Sequence, residues 1–171
     1  MPRLRTVATL ILVAFATASF TIQEQNKEDW KKIGDPILTE IKDFRNWPIA
    51  PGTTEKMEGS RKPHEGYVTI RANEIAMKAV EEGAQFFPEG SIITKDNFSQ
   101  SDKSFRRTDV MKKVGRWWVY VIGDKDLNTR WAADSTDLKI NSCLRCHAGA
   151  VDQVFFWKTP EIWKNRVAAK Q

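Results

Sequence analysis

The chain has 171 residues with 41% hydrophobic residues, which excludes a disordered chain and a protein with many membrane spans. Its formal net charge is +5, but basic and acidic residues are interspersed and form no basic stripe with interleaved aromatics, so nucleic acid is not expected as a partner. The seven tryptophans indicate either a large aromatic core or aromatic walls around a flat cofactor.

Residues 1–18 have the organisation of a signal peptide. Arg3 and Arg5 supply the positive charge, an apolar run follows over residues 7–15, and Ala-Thr-Ala at 16–18 fits a cleavage site. The apolar run is shorter than a bilayer span requires, so cleavage is favoured over a membrane anchor. We therefore expect a periplasmic or otherwise exported protein with no stable membrane span after cleavage.

The mature chain is predicted to be a polar tether over residues 19–33, followed by one domain over 34–171. Asp35 and Pro36 are typical of a helix start, and apolar residues at helical spacing extend that helix to Arg45. Those apolar residues are Ile37, Leu38, Ile41 and Phe44.

The middle of the chain is predicted to contain four strands and one helix. The strands are β-rich runs of apolar and polar residues: 67–71, 91–95, 109–114 and 117–122, with a hairpin turn at Gly115-Arg116. The helix is capped by Asn73 and ends at Gly83, and its expected apolar face comprises Ile75, Ala76, Ala79 and Val80. The intervening segments 50–63, 96–107 and 123–137 are predicted loops. The fold class is therefore α+β: an antiparallel β-sheet with a few helices, of which the C-terminal one begins near Cys143.

Cys143-Leu144-Arg145-Cys146-His147 is a C-x-x-C-H sequence, the attachment signature of haem c. Two thiols one helical turn apart can each add to a vinyl group on one porphyrin edge, and the histidine that follows can then reach the iron. The sequence predicts one covalent haem c, bound through Cys143 and Cys146, with His147 as the axial iron ligand.

Other uses of the two cysteines are less favoured. A zinc site lacks a second ligand pair, and a disulfide across so short a loop would add little stability. A redox-active dithiol is expected early in a βαβ fold, whereas this motif is near the C-terminus. The second axial position of the iron is expected to be vacant. His64 or one of Met57, Met77 and Met111 would instead make a six-coordinate electron carrier.

Seven segments in a fixed order give the chain a wider resemblance. They are Pro63–Gly66, Tyr67–Arg71, Asn73 with Ala76, Phe87–Ile93 with Lys95, Val110–Lys113, Trp117–Tyr120 and Cys143–His147. Over residues 44–156 the chain resembles the cytochrome P-460 family, including its relative cytochrome c′-beta. The resemblance implies an antiparallel sheet with a haem-bearing helix, proximal ligation by His147 and a five-coordinate iron. Related proteins are often dimers, so a homodimer is an expectation by analogy.

The resemblance covers two kinds of protein. In catalytic members a lysine is cross-linked to the porphyrin and hydroxylamine is oxidised, whereas in c′-beta members an apolar, often Phe-lined, distal pocket binds nitric oxide or carbon monoxide. Lys95 is the candidate cross-link, ahead of Lys78, Lys112 and Lys113. Phe86 and Phe87 are candidates for the distal pocket, although both also fit an ordinary core.

Leu138 matches the position at which catalytic members carry a distal carboxylate, so it is included among the candidate distal residues. No acid lies over residues 138–142, although Asp134 and Asp137 are near. Because removal of a proton from hydroxylamine requires a base within hydrogen-bond reach, a non-enzymatic haem protein is favoured. A diatomic gas ligand or a redox partner protein is the expected partner.

Overall fold

The computed structural model describes residues 28–59, 66–134, 147, 152 and 154. Helix α1 covers residues 28–40, a 3-10 turn covers Phe44–Asn46, and helix α2 covers Glu74–Glu81. The strands are β1 (Met57–Gly59), β2 (Gly66–Ala72), β3 (Ile92–Phe98), β4 (Phe105–Val114), β5 (Trp117–Gly123) and β6 (Thr129–Asp134). Neither helix in this part of the chain has the length and apolar character needed to cross a membrane.

The six strands form one antiparallel sheet in the order β1-β2-β3-β4-β5-β6, so each strand pairs with its neighbours in sequence. This arrangement is a meander, and it confirms the prediction of an α+β fold built on an antiparallel sheet. The predicted C-terminal helix falls almost entirely outside the described residues.

Each face of the sheet carries its own apolar layer, because successive side chains of a strand point to opposite faces. On the first face, which we call the α1 face, the helix and the turn pack against four strands through Ile37, Leu38, Ile41, Phe44, Ile92, Val110, Val119, Val121 and Ala132. On the second, the α2 face, the packed residues include Val68, Ile70, Ala76, Ala79, Val80, Phe87, Ile93, Met111, Trp118, Tyr120 and Val154.

Helix α1 begins earlier than the sequence suggests. Residues 28–33, which the sequence analysis assigns to a polar tether, are helical, and Trp30 packs against the apolar layer of the α1 face. The helix also lies tightly against β6. A Cβ at Gly34 would be 2.5 Å from the side chain of Thr129, whose hydroxyl donates a hydrogen bond to the Asp35 carboxylate. The packing of Trp30 and the contact with β6 therefore hold a segment whose composition alone looks unstructured.

The four predicted strands are all present, but β3 and β4 extend into the predicted loop 96–107, and β1 and β6 lie inside the other two predicted loops. Strand β6 contains Ala132 and Ala133 rather than a β-branched apolar run, and its pairing with β5 stabilises it. The hairpin turn is confirmed: Gly115 has φ of +56°, a conformation that favours glycine.

The start of helix α2 is tied to the start of β3 by the side chain of Asn73. Its Oδ1 accepts hydrogen bonds from the backbone amides of Ala76 and Ile92, both at 3.0 Å, and its Nδ2 donates to the carbonyl of Gly90 at 2.8 Å. The predicted N-cap is therefore confirmed, and it also fixes where the helix sits on the sheet. Ile75, predicted to lie on the apolar face of this helix, is instead 44% exposed.

Candidate functional site: the α2 face around His147

The imidazole of His147 lies against the sheet at the ring of Tyr120. The two ring centroids are 5.8 Å apart, and the rings meet edge to face at 75°. Tyr120 is near the middle of β5 and is 5% exposed, whereas His147 is partly exposed. His147 therefore meets the α2 face at an aromatic side chain that is buried in the core.

Tyr120 belongs to an apolar row that crosses five strands. The registers place Ala72, Ile93, Met111, Tyr120 and Ala133 opposite one another, each less than a tenth exposed. Directly opposed residues of antiparallel strands share a face and have adjacent Cβ atoms. The row thus forms a continuous apolar strip within the α2 face, and His147 contacts it at Tyr120.

A polar cluster lies on the same face, two residues along β3 and β4 from Ile93 and Met111. Lys95, which pairs with Asp109 in the register, has its Nζ 3.8 Å from the Asp109 carboxylate. The same carboxylate accepts a 2.7 Å hydrogen bond from Arg107 Nε and a 3.1 Å bond from Asn97 Nδ2. The side chains of Lys95 and Asp109 are only 18% and 19% exposed. We call these four residues the Asp109 cluster; it brings two cations and one carboxylate to the face that carries His147.

A second ion pair fixes Asp152, which follows His147 by five residues. The Nζ of Lys113, on β4, lies 2.7 Å from the Asp152 carboxylate, and the two side chains are 5% and 9% exposed. The other oxygen of Asp152 accepts a 2.8 Å hydrogen bond from the backbone amide of Phe87. We call this arrangement the Asp152 clamp. It joins Asp152 both to the sheet and to the turn that precedes β3.

The opposite face of the sheet carries a comparable buried carboxylate away from His147. Asp96 is 8% exposed at its side chain, lies 3.1 Å from Arg45 Nε, and accepts a 2.6 Å hydrogen bond from the hydroxyl of Thr108. Asp96 and Arg45 line an open cleft between β2, β3 and the 3-10 turn. Because this pair lies on the α1 face, it serves below as a control for effects that are specific to the His147 side.

The structure separates the candidate lysines for a haem cross-link. Lys95 lies in the middle of β3 on the α2 face, the same face as Tyr120. Lys112 lies on the α1 face and pairs with Glu40, while Lys78 is on helix α2 with its side chain 74% exposed. Lys113 belongs to the Asp152 clamp. Among Lys95, Lys112 and Lys78, only Lys95 is a strand residue on the same face of the sheet as Tyr120.

The two candidate phenylalanines of the distal pocket have different surroundings. Phe87 is 3% exposed and packs edge to face against Trp118, with 5.5 Å between ring centroids. Phe86 is 64% exposed. A role for either ring in a ligand pocket stays a prediction, as does that of Leu138, which lies outside the described residues together with His64, Cys143 and Cys146.

Several residues of this face were missed by sequence reasoning. The strand alternation places Asp109 and Lys113 on one face, and this signal was available. The pairing of Asp109 with Lys95 could not be predicted from the sequence, because it depends on the length of the turn between β3 and β4. Asp152 and Tyr120 carry no local signal, since their roles come from contacts with residues distant in sequence.

The described residues of the α2 face fit a bound haem. A partly exposed imidazole next to an apolar strip suits iron ligation beside a hydrophobic ring, and the nearby cations Lys95 and Arg107 suit carboxylate-bearing substituents. Among the described residues, no group of three or more histidine, cysteine or acidic side chains could hold a bare metal ion.

Comparison with known proteins agrees with this fit. The chain matches the family model described as cytochrome P460 over residues 41–157, which includes all six strands and the C-x-x-C-H sequence. No match was found among curated proteins.

Proposed function

The chain belongs to the cytochrome P460 family, a family of haem proteins, and on that premise we propose that it is an exported cytochrome with one covalent haem c. Thioether bonds to Cys143 and Cys146 hold the haem, His147 ligates the iron, and the second axial position takes a small diatomic ligand. The contact between His147 and Tyr120 beside the apolar row is the observation that carries the proposal.

When bound, the haem supplies an iron that can bind a diatomic ligand or exchange an electron. The protein supplies the surroundings. Tyr120 packs edge to face on His147 and limits the orientations of the imidazole. Met111 and Ala133 flank Tyr120 and keep that part of the face apolar. A neutral ligand such as nitric oxide or carbon monoxide is favoured there over an anion, because an anion would lose its hydration without gaining a partner.

An absorption spectrum of the purified protein tests this function directly. We expect a c-type spectrum that is high-spin in both oxidation states, and we expect carbon monoxide to convert the reduced form completely, because the sixth position is open. A low-spin spectrum that carbon monoxide leaves unchanged would contradict the proposal and would indicate a six-coordinate electron carrier.

A second candidate function is the oxidation of hydroxylamine or nitric oxide by a haem cross-linked to lysine. The position of Lys95 favours it: the side chain lies mid-strand on the α2 face and is only 18% exposed, whereas the sequence suggested a solvated strand end. Asp109 also supplies a carboxylate on this face, which residues 138–142 lack. The electrons of the substrate would pass through the haem to an external acceptor, and a carboxylate would take up protons.

Mass spectrometry of tryptic peptides separates the two candidates. Under the leading proposal, we expect no peptide that joins haem to Lys95, and we expect Lys95→Met to leave the position of the Soret band unchanged. Lys112→Met is the matched control, because Lys112 is a β4 lysine on the opposite face. A haem peptide containing Lys95, together with a strongly red-shifted reduced Soret band that Lys95→Met restores to normal, would favour the catalytic function instead.

A further inference from the structure

The Asp152 clamp is the most deeply buried ion pair that the described residues make. Both side chains are less than a tenth exposed, and the Lys113 ammonium also lies 5.2 Å from the centroid of the Trp118 ring. Asp152 uses one oxygen for this ammonium and the other for the amide of Phe87. Two charges that have both lost their water depend on each other, so neither can move away without leaving the other uncompensated.

The clamp acts on a short stretch of chain. Asp152 follows His147 by five residues. Even a fully extended chain would therefore place their Cα atoms at most about 18 Å apart. Two residues further on, Val154 is 4% exposed and belongs to the apolar layer of the α2 face. The described residues on the two sides of 148–151 therefore both contact the α2 face: His147 at Tyr120, and Asp152 and Val154 at the clamp and the apolar layer.

The backbone at Asp152 is itself constrained. Its φ is +45°, in the left-handed region that few non-glycine residues adopt; aspartate is among those that do, and contacts with neighbouring groups stabilise it there. The ion pair with Lys113 and the bond from Phe87 supply those contacts. The conformation of Asp152 thus depends in part on Lys113.

We propose that Lys113 is a positioning residue for the iron ligand: through Asp152 it sets the orientation and strain of His147 against the haem. The proposal rests on the attachment of haem at Cys143 to His147 proposed above. Contacts one step removed from a metal orient its ligands, and their loss typically changes affinity or activity about 10–100-fold. The clamp acts at a greater remove, through the chain rather than through a hydrogen bond to the imidazole, so we expect the lower end of this range.

The test compares Lys113→Met, Asp152→Asn and the double variant, all as haem-loaded proteins. The readouts are the iron–histidine stretching band of the reduced form, the midpoint potential and the affinity for carbon monoxide. We expect both single variants to shift the iron–histidine band in the same direction and to change carbon monoxide affinity about tenfold. Lys113→Arg keeps the cation opposite Asp152, so its three readouts should stay closer to those of the unchanged protein than the readouts of Lys113→Met do.

The direction in which each single variant shifts the midpoint potential distinguishes a positioning effect from a simple electrostatic effect. Lys113→Met removes a positive charge and Asp152→Asn removes a negative one, so a field effect alone would move the midpoint potential in opposite directions. Loss of positioning should move it in the same direction in both. The control is Arg45→Met, which removes the cation beside the buried Asp96 on the α1 face. It should lower stability and leave all three readouts unchanged.

Three outcomes would overturn the proposal. The first is a loss of stability in Lys113→Met with an unchanged iron–histidine band, which would make the clamp purely structural. The second is opposite potential shifts with an unchanged band. The third is a protein that binds no haem at all, which would remove the proposed function as well. Should a single variant fail to fold, the comparison is made between Lys113→Arg and the double variant, which leaves no charge buried alone.

Discussion

Replacement of His147 with glycine should abolish the normal haem spectrum and lower the affinity for carbon monoxide by more than about 100-fold, because changes one step removed from a metal already cost up to that much. His147 would be the protein ligand of the iron, and its imidazole is ordered by Tyr120. Addition of free imidazole should restore both properties in part, since the cavity left by the side chain admits the same donor. Spectroscopic titration with carbon monoxide measures the effect.

His64→Ala is the matched control for this experiment, because His64 is the other histidine of the chain. We expect its spectrum and carbon monoxide affinity to equal those of the unchanged protein. A change from low to high spin in His64→Ala would instead identify His64 as a second axial ligand. An unaltered spectrum in His147→Gly would show that the iron is not held by His147.

Truncation of Trp118 to alanine should destabilise the protein by about 3–5 kcal/mol, the usual cost of removing a large buried aromatic. Trp118 is fully buried at 0% exposure, packs edge to face on Phe87, and lies beneath the Lys113 ammonium. Its loss leaves a cavity and removes a neighbour of the Asp152 clamp. Urea denaturation monitored by far-ultraviolet circular dichroism gives the free energy of unfolding.

The preceding residue provides the control. Trp117 is 46% exposed and points to the other side of β5, so Trp117→Ala should cost less than about 1 kcal/mol. The two substitutions remove the same side chain from adjacent positions and differ only in burial. Equal losses of stability would contradict the register that places Trp118, rather than Trp117, in the core.

The sequence predicts those parts of the fold that depend on local patterns. The strands around Val68 and Val119 are rich in the β-branched and aromatic residues that strands favour. Asn73 is a favourable N-cap residue directly before a helix. Strand β6 has no such composition and forms because β5 offers it a partner. Residues 28–33 look like a tether until their contact with the sheet is known.

The candidate site divides in the same way. The spacing of Cys143, Cys146 and His147 predicts haem attachment by itself, because that prediction depends only on residues close together in sequence. The contacts of His147 with Tyr120 and of Asp152 with Lys113 join segments 27 and 39 residues apart. Such contacts require the strand order and register, and no motif in this sequence encodes them.

The meander order of the strands also bears on how the protein matures. Each strand pairs with its neighbour in the chain, so the sheet has low contact order and can form early from successive hairpins. The contacts of Asp152 with Phe87 and Lys113 close much longer loops. Asp152 therefore reaches Phe87 and Lys113 only after the sheet that carries its partners has formed.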